Sequence, residues 1–136
     1  MSLTNKTIIV TGCAGFIGSH LCEKLLLNSN NKVIGLDNLD PYYSVERKRE
    51  NLKILEKFSN FQFLEEDIRT TKSITDFKPD TIVHLASLAG VRNSLLEPER
   101  YAEVNIIGMI HLLEQFRLLK ECSKRKFIFA SSSSVY

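Results

Sequence analysis

The stretch Lys6-Thr7-Ile8-Ile9-Val10-Thr11-Gly12-Cys13-Ala14-Gly15-Phe16-Ile17-Gly18 decides the fold. Its first half is a short continuous apolar run, as expected of a strand buried on both faces. Its second half places glycines at 12, 15 and 18 and opens onto an amphipathic stretch through about Leu27, with Ile17, Leu21 and Leu25 spaced four apart. A buried strand, a glycine-punctuated turn and a helix in succession form the context that a dinucleotide fingerprint requires. The spacing differs from Gly-x-Gly-x-x-Gly, but the mechanics transfer. Gly12 permits the tight turn, Gly15 lets backbone N–H groups reach a pyrophosphate, and Gly18 allows helix and strand to pack closely. The helix N-terminus adds unpaired donors and a dipole that favours an anion. Amide hydrogens around Ala14 to Phe16 are therefore expected to cup a diphosphate.

Outward from this turn, apolar runs alternate with amphipathic ones. Residues 6–11, 32–37, 61–65, 81–86 and 126–130 read as strands, and 45–58, 71–77 and 99–120 as the helices between them. Continuous apolar strands linked by helices demand a parallel sheet covered on both faces. The expected fold is a doubly wound α/β domain over residues 1–136, with strand order 3-2-1-4-5. The 99–120 helix carries one stripe of Ile106, Met109, Ile110 and Leu113 and a second of Leu112, Phe116 and Leu119. A helix apolar on two sides is covered on more than its sheet-facing side, by its own chain or by a second subunit.

Composition narrows the partners. The 136 residues are 43% apolar and 25% charged, with 18 basic and 16 acidic side chains and a formal charge of +2. That balance argues against nucleic-acid binding, which shows as a basic patch. The first six residues lack an apolar signal core, and no run of ~18 apolar residues occurs, so no membrane partner is expected. Cys13, Cys22 and Cys122 are odd in number and lack a Cys-x-x-Cys spacing, which indicates neither a disulfide framework nor a zinc knuckle. Gathering Cys13, His20 and Cys22 around a metal is disfavoured, because residues two apart face different sides of a helix. The expectation is a soluble, cytoplasmic domain with buried thiols and no metal site.

Asp37 stands nineteen residues beyond Gly18, at the carboxyl end of the second strand. A carboxylate there accepts from both adenosine ribose hydroxyls and repels a 2′-phosphate, which favours NAD over NADP. The run Glu46-Arg47-Lys48-Arg49-Glu50 reads as a solvated helix face with pairing four residues apart, and His84 as a packed strand residue.

Five blocks together resemble a known family: TGCAGFIGSHL (11–21), DNLDPYY (37–43), Glu66-Asp67-Ile68, HLASLAGVRNS (84–94) and SSSSVY (131–136). They are similar to the extended short-chain dehydrogenases/reductases, and within these to NAD-dependent UDP-sugar 4-epimerases, especially the UDP-glucuronate 4-epimerase group. The resemblance implies NAD as cofactor and a UDP-sugar as substrate of the full-length parent. It implies that Gly12, Gly15, Phe16, Ile17 and Gly18 form the cofactor turn, and that Asp37 and Asn38 hold the adenosine ribose. Asp67 and Ile68 would flank the adenine, the carboxylate accepting from its amino group. Leu85, Ala86 and Ser87 would line the nicotinamide ribose, with Asn105 close to the nicotinamide side. Ser132, four residues before Tyr136, matches the catalytic Ser/Thr that bonds the sugar 4-hydroxyl. Ser87, Arg92 and Ser94 fall in a segment that faces substrate in relatives; Arg92 alone would be a solvated loop charge. Ser131, Ser133 and Ser134 read as loop-polar.

The family's Tyr-x-x-x-Lys pair is missing from these 136 residues. Tyr43 is followed four later by Arg47, Tyr101 by Asn105, and Tyr136 is last. The chain reads as the N-terminal fragment of an epimerase, a Rossmann-type domain truncated after its fifth strand and without the substrate lobe. Alone it is expected to be inactive and at most a weak NAD binder. A nucleotide-sugar 4,6-dehydratase fragment is the enzymatic alternative. That branch usually shows Thr-Asp-Glu where this chain has Ser132-Ser133-Ser134, and elimination needs an acid for the leaving hydroxyl. A different class is a non-catalytic NAD-binding or interaction module, with a homodimer formed through the 99–120 helix.

Overall fold

In the computed structural model, residues 4–27, 30–132 and 135 are described. The strands β1 (Thr7–Thr11), β2 (Lys32–Asp37), β3 (Phe61–Glu65), β4 (Thr81–His84) and β5 (Lys126–Phe129) form one all-parallel sheet. Its order is β3-β2-β1-β4-β5, as the sequence leads one to expect. Alternation along β1 supplies both cores, since successive strand residues point to opposite faces. Ile8 and Val10 pack with Val33, Cys22, Leu26, Leu52 and Leu55, the face covered by α1 (Phe16–Leu27) and α2 (Val45–Leu55). Ile9 packs with Ile34, Leu36, Ile82, Ile74 and Leu112, the face covered by α3 (Ser73–Phe77) and the later helices.

Several expectations are corrected, among them the end of β4 at His84 rather than residue 86. The inward side of α1 is Gly18, Ser19, Cys22 and Leu26, and Ile17 is 67% exposed rather than part of a buried stripe. The cause is Gly18: a Cβ there would lie 2.1 Å from the Gly12 carbonyl oxygen, so this position must face the turn and sets the rotation of the helix. Helix α2 stops at Leu55, although Phe58 still packs on the same core. Lys48 is buried rather than solvated.

The 99–120 segment is not one regular helix. It runs as α5 (Pro98–Ala102), with proline at its start where no N–H is needed, then a π-helical turn Glu103–Ile107, then α6 (Gly108–Arg117). Leu112, Leu119 and half-buried Phe116 face the sheet, whereas Ile106, Ile110 and Leu113 of the other stripe are exposed. A helix absent from the sequence reading, α4 (Val91–Leu96), precedes them. It buries no residue, so it leaves no periodic core signal to find. Cys13 and Cys22 are buried free thiols, and burial pushes the Cys22 thiol up to about 12. Among the described residues no helix is long and apolar enough to cross a membrane.

Candidate functional site

Chemistry gathers where parallel strands end, because in an open α/β sheet the crevice lies outside their carboxyl ends. At the end of β1, Gly12 has φ +72°, and a Cβ there would lie 2.9 Å from the Ala86 nitrogen. Glycine is required twice, for the left-handed backbone and for the approach of the segment after β4. The turn is pinned by N–H donation from Gly12 and Cys13 to the Leu36 carbonyl, at 2.7 and 3.3 Å. Gly15 N–H donates to the Gly12 carbonyl at 3.1 Å, and Ala14 N–H to Asp37 Oδ2 at 3.1 Å. The expected cup at Ala14 to Phe16 is therefore displaced. Ala14 and Gly15 are committed internally, and among the described residues no acceptor meets the N–H groups of Phe16 and Ile17. Those two amides open the first turn of α1, where donors lack intrahelical partners.

Asp37 ends β2 with its carboxylate turned toward this turn. Besides Ala14 N–H, it accepts from Leu39 N–H at 2.9 Å and from Lys48 Nζ at 3.2 Å. The side chains of Lys48 and Asp37 are 11% and 4% exposed, so the ion pair is largely removed from water. One turn further along α2, Asn51 Nδ2 donates to the Ala14 carbonyl at 2.9 Å. Two residues of α2 thus hold the turn and the end of β2 in one frame. The sequence carried a signal for this: Lys48 precedes the buried Leu52 by four and Leu55 by seven, the spacing of one helix face.

Beyond β3, Asp67 accepts from Asn38 Nδ2 at 3.0 Å and from Arg69 Nε and Nη2 at 2.9 and 2.8 Å. The Arg69 hydrogen bonds hold the Asp67 carboxyl down at about 2. Ile68 is 6% exposed and packs against Gly108 in the second core, so its side chain faces inward.

At the end of β4, Thr11 Oγ1 accepts from the N–H groups of Leu85 and Ala86, both at 3.2 Å. Its hydrogen is then left for His84 Nδ1, 2.7 Å away, which makes His84 a neutral acceptor there. Burial lowers His84 to about 4, in keeping with its expected packed role. Leu85 and Ala86 are half-buried and Ser87 is exposed. Asn105 lies in the π-helical turn, and its side-chain amide exchanges two 2.8 Å bonds with the backbone of Leu88. Arg92 sits exposed on α4 rather than in a loop. Ser94 is on the same helix, its hydroxyl donating to the Val91 carbonyl at 2.7 Å. Ser131 and Ser132 follow β5 as exposed loop residues; Ser133, Ser134 and Tyr136 lie outside the described residues.

The structure therefore brings the glycine turn, Asp37, Asn38, Asp67 and the segment after β4 to one end of the sheet. A hollow of about 780 Å³ bounded by Thr4, Asn5, Leu26 and Asn30 opens at the opposite end, away from these groups. Among the described residues no set of three His, Cys, Asp or Glu side chains clusters as metal ligands. His20 instead turns its Nδ1 to the Phe16 carbonyl, 2.8 Å away.

A family model described as GDP-mannose 4,6 dehydratase matches residues 9–136. The chain belongs to this family. It is 42% identical over 137 residues to Protein CapI of Staphylococcus aureus, covering 95% of this chain and 38% of that protein. It is 41% identical over 132 residues to the UDP-glucuronate 4-epimerase of Thermodesulfobacterium geofontis, covering 94% of this chain and 40% of that enzyme. The crystal structure of UDP-glucuronic acid 4-epimerase from Bacillus cereus, in complex with UDP-glucuronic acid and NAD, superposes with a TM-score of 0.85. Identity there is 40%, over 96% of this chain and 41% of that one. The chain thus spans about two fifths of the length of these family members.

Proposed function

We propose that these 136 residues are the NAD-binding part of a UDP-sugar 4-epimerase acting on UDP-glucuronate or UDP-galacturonate. One observation carries the reading: the open N–H groups of Phe16 and Ile17 lie beside a carboxylate, Asp37, that is itself tied to the same turn through Ala14. A diphosphate suits the helix N-terminus, and the adjoining ribose suits the carboxylate. The close approaches at Gly12 and Gly18 explain why a bulkier turn would not serve. Asn38 adds a second polar group at the ribose, and Asp67 an acceptor for the adenine amino group. Ile68 would contribute through its backbone, since its side chain is in the core. Leu85, Ala86 and Ser87 would line the nicotinamide ribose, and Asn105 would act there by holding Leu88. Arg92, Ser94 and Ser132 would face the sugar nucleotide, Ser132 bonding its 4-hydroxyl.

The preference for NAD over NADP takes a different form from simple repulsion. Lys48 neutralises Asp37 in part, so exclusion of a 2′-phosphate rests on occupied hydrogen-bonding geometry as well as on charge. When bound, NAD supplies a reversible hydride acceptor for C4 of the sugar. The 136 residues hold no Tyr-x-x-x-Lys pair, so alone they are expected to bind without turnover. Free thiols suit a cytoplasmic setting. The open stripe of Ile106, Ile110 and Leu113 supports a homodimer through the 99–120 segment.

Calorimetric titration of NAD into the purified chain tests the reading. Saturable binding, weakened about tenfold or more by Asp37→Ala, is expected. A folded chain that takes up no NAD at millimolar concentration overturns it. The 4,6-dehydratase reading has one observation in its favour, the description of the matching family model. A 4-keto-6-deoxy sugar formed by the full-length parent would select it.

A further inference from the structure

Strands β2 and β4 flank β1, so the segments that follow them stand on either side of the glycine turn. These segments are joined across the turn. Tyr42, on the β2 side, donates its hydroxyl to the Ala89 carbonyl on the β4 side at 2.5 Å. Tyr101 of α5 donates to the same oxygen, also at 2.5 Å, so both lone pairs of that carbonyl are used. A third tie runs from Arg100 Nη2 to both Asp40 oxygens at 2.9 and 2.8 Å, while Nη1 holds Glu97 at 2.9 Å. The fit is close. Gly90 has φ +93°, and a Cβ there would fall 2.5 Å from the Tyr42 hydroxyl. The β2-side segment is shaped for the span by side-chain turns, Asp40 N–H to Asn38 Oδ1 at 3.1 Å and Tyr42 N–H to Asp40 Oδ1 at 2.9 Å. Leu39 enters it with φ +53°, a left-handed bend.

We propose that Tyr42, Tyr101 and the Asp40–Arg100 pair form a strap over the crevice that gates entry and exit of the dinucleotide. This deepens the NAD-binding reading and rests on it. The glycine turn lies between the two joined segments, so a diphosphate seated on the Phe16 and Ile17 amides would enter and leave past the strap. The strap can part without unfolding the domain. Asp40, Tyr42 and Arg100 are half-buried, Tyr101 is buried, and none of the four belongs to the two apolar clusters. Local opening draws on such weakly buried regions.

Stopped-flow mixing of the full 136-residue chain with NADH, followed by the emission of its reduced nicotinamide because the chain has no tryptophan, separates a gate from an ordinary contact. Removing both hydroxyls, Tyr42→Phe with Tyr101→Phe, is expected to raise the association and dissociation rates together by about tenfold, with little change in Kd. Arg100→Gln is expected to act in the same direction. Wild-type exchange should quicken with salt, because the Asp40–Arg100 pair is partly solvated, and the Arg100→Gln variant should lose that dependence. Faster dissociation with unchanged association would overturn the gate and make the tyrosines affinity contacts; unchanged rates would overturn it outright. Amide hydrogen exchange without nucleotide gives a second, independent readout. Tyr42→Phe should speed exchange at Leu39 to Tyr42 and at Leu88 to Gly90 and leave β1 protected. If those amides are unaffected the strap is wrong, whereas this response in Tyr42→Phe together with a wild-type chain that never binds NAD condemns the cofactor reading instead.

Discussion

The two halves of the crevice are built differently. On the β2 side, the carboxylate of Asp37 is buried, ion-paired with Lys48 and tied to two backbone amides. On the β4 side, polar ties run mostly from side chain to backbone: Thr11 to Leu85 and Ala86, Asn105 to Leu88, Tyr42 and Tyr101 to Ala89. There the edge strand β5 leaves Ile128 and Phe129 44% and 52% exposed. The first half is held rigidly by charge in a dry environment, where breaking a pair is expensive. The second is held by many modest bonds, each able to release. Under the proposed NAD-binding reading, such a division suits a nucleotide gripped on the β2 side.

The contrast can be broken most severely at Lys48. Lys48→Met leaves Asp37 as an unpaired buried charge, and urea denaturation should show a loss of about 3–5 kcal/mol. A loss below about 1 kcal/mol would mean that the pair is not the anchor of the β2 side. Next comes a pH effect that belongs to the β4 side. His84 is held at about 4 against an ordinary 6.5, so between those values the unfolded chain takes up a proton that the folded one refuses. Stability should be level between about pH 6.5 and 8 and fall by up to about 3 kcal/mol as pH drops to 4, with His84→Gln removing that slope. Asp67, held at about 2, adds a loss of the same sign only below about pH 4.

Within the turn, Gly18→Ala and Gly15→Ala sharpen the comparison. The first places a methyl group 2.1 Å from the Gly12 oxygen and should cost about 1–3 kcal/mol in thermal or chemical unfolding. The second meets the same oxygen at 3.3 Å and should cost well under the first. Equal costs would show that α1 can rotate away from the turn. Asn105→Ala forfeits two bonds to Leu88 and should lower stability by about 1–2 kcal/mol, read in the same unfolding assay.

Much of the fold was legible beforehand, and so was the location of the candidate site. The bounds of β2 and β3 and the strand order agree with the reading of apolar runs, because a strand buried on both faces leaves a local and unbroken mark. The family is borne out, since its blocks span the chain. Other features had no comparable mark. Helix α4 buries nothing, Ile17 lost its place in a buried stripe to Gly18, and Lys48 sat within a run that looked solvated. The ties to Ala89 join residues 47 and 12 positions apart, a separation that no periodicity reports.

By itself, then, the order of residues determined the parallel sheet, the glycine turn at its centre and the presence of a carboxylate at 37, because short-range sterics and apolar periodicity act along the chain. Only the tertiary structure decided which amides remain open, that Lys48 stands against Asp37, and that Tyr42 and Tyr101 share one carbonyl. Those outcomes depend on directed bonds and burial between distant segments, and these exist only once the sheet has brought the strand ends together.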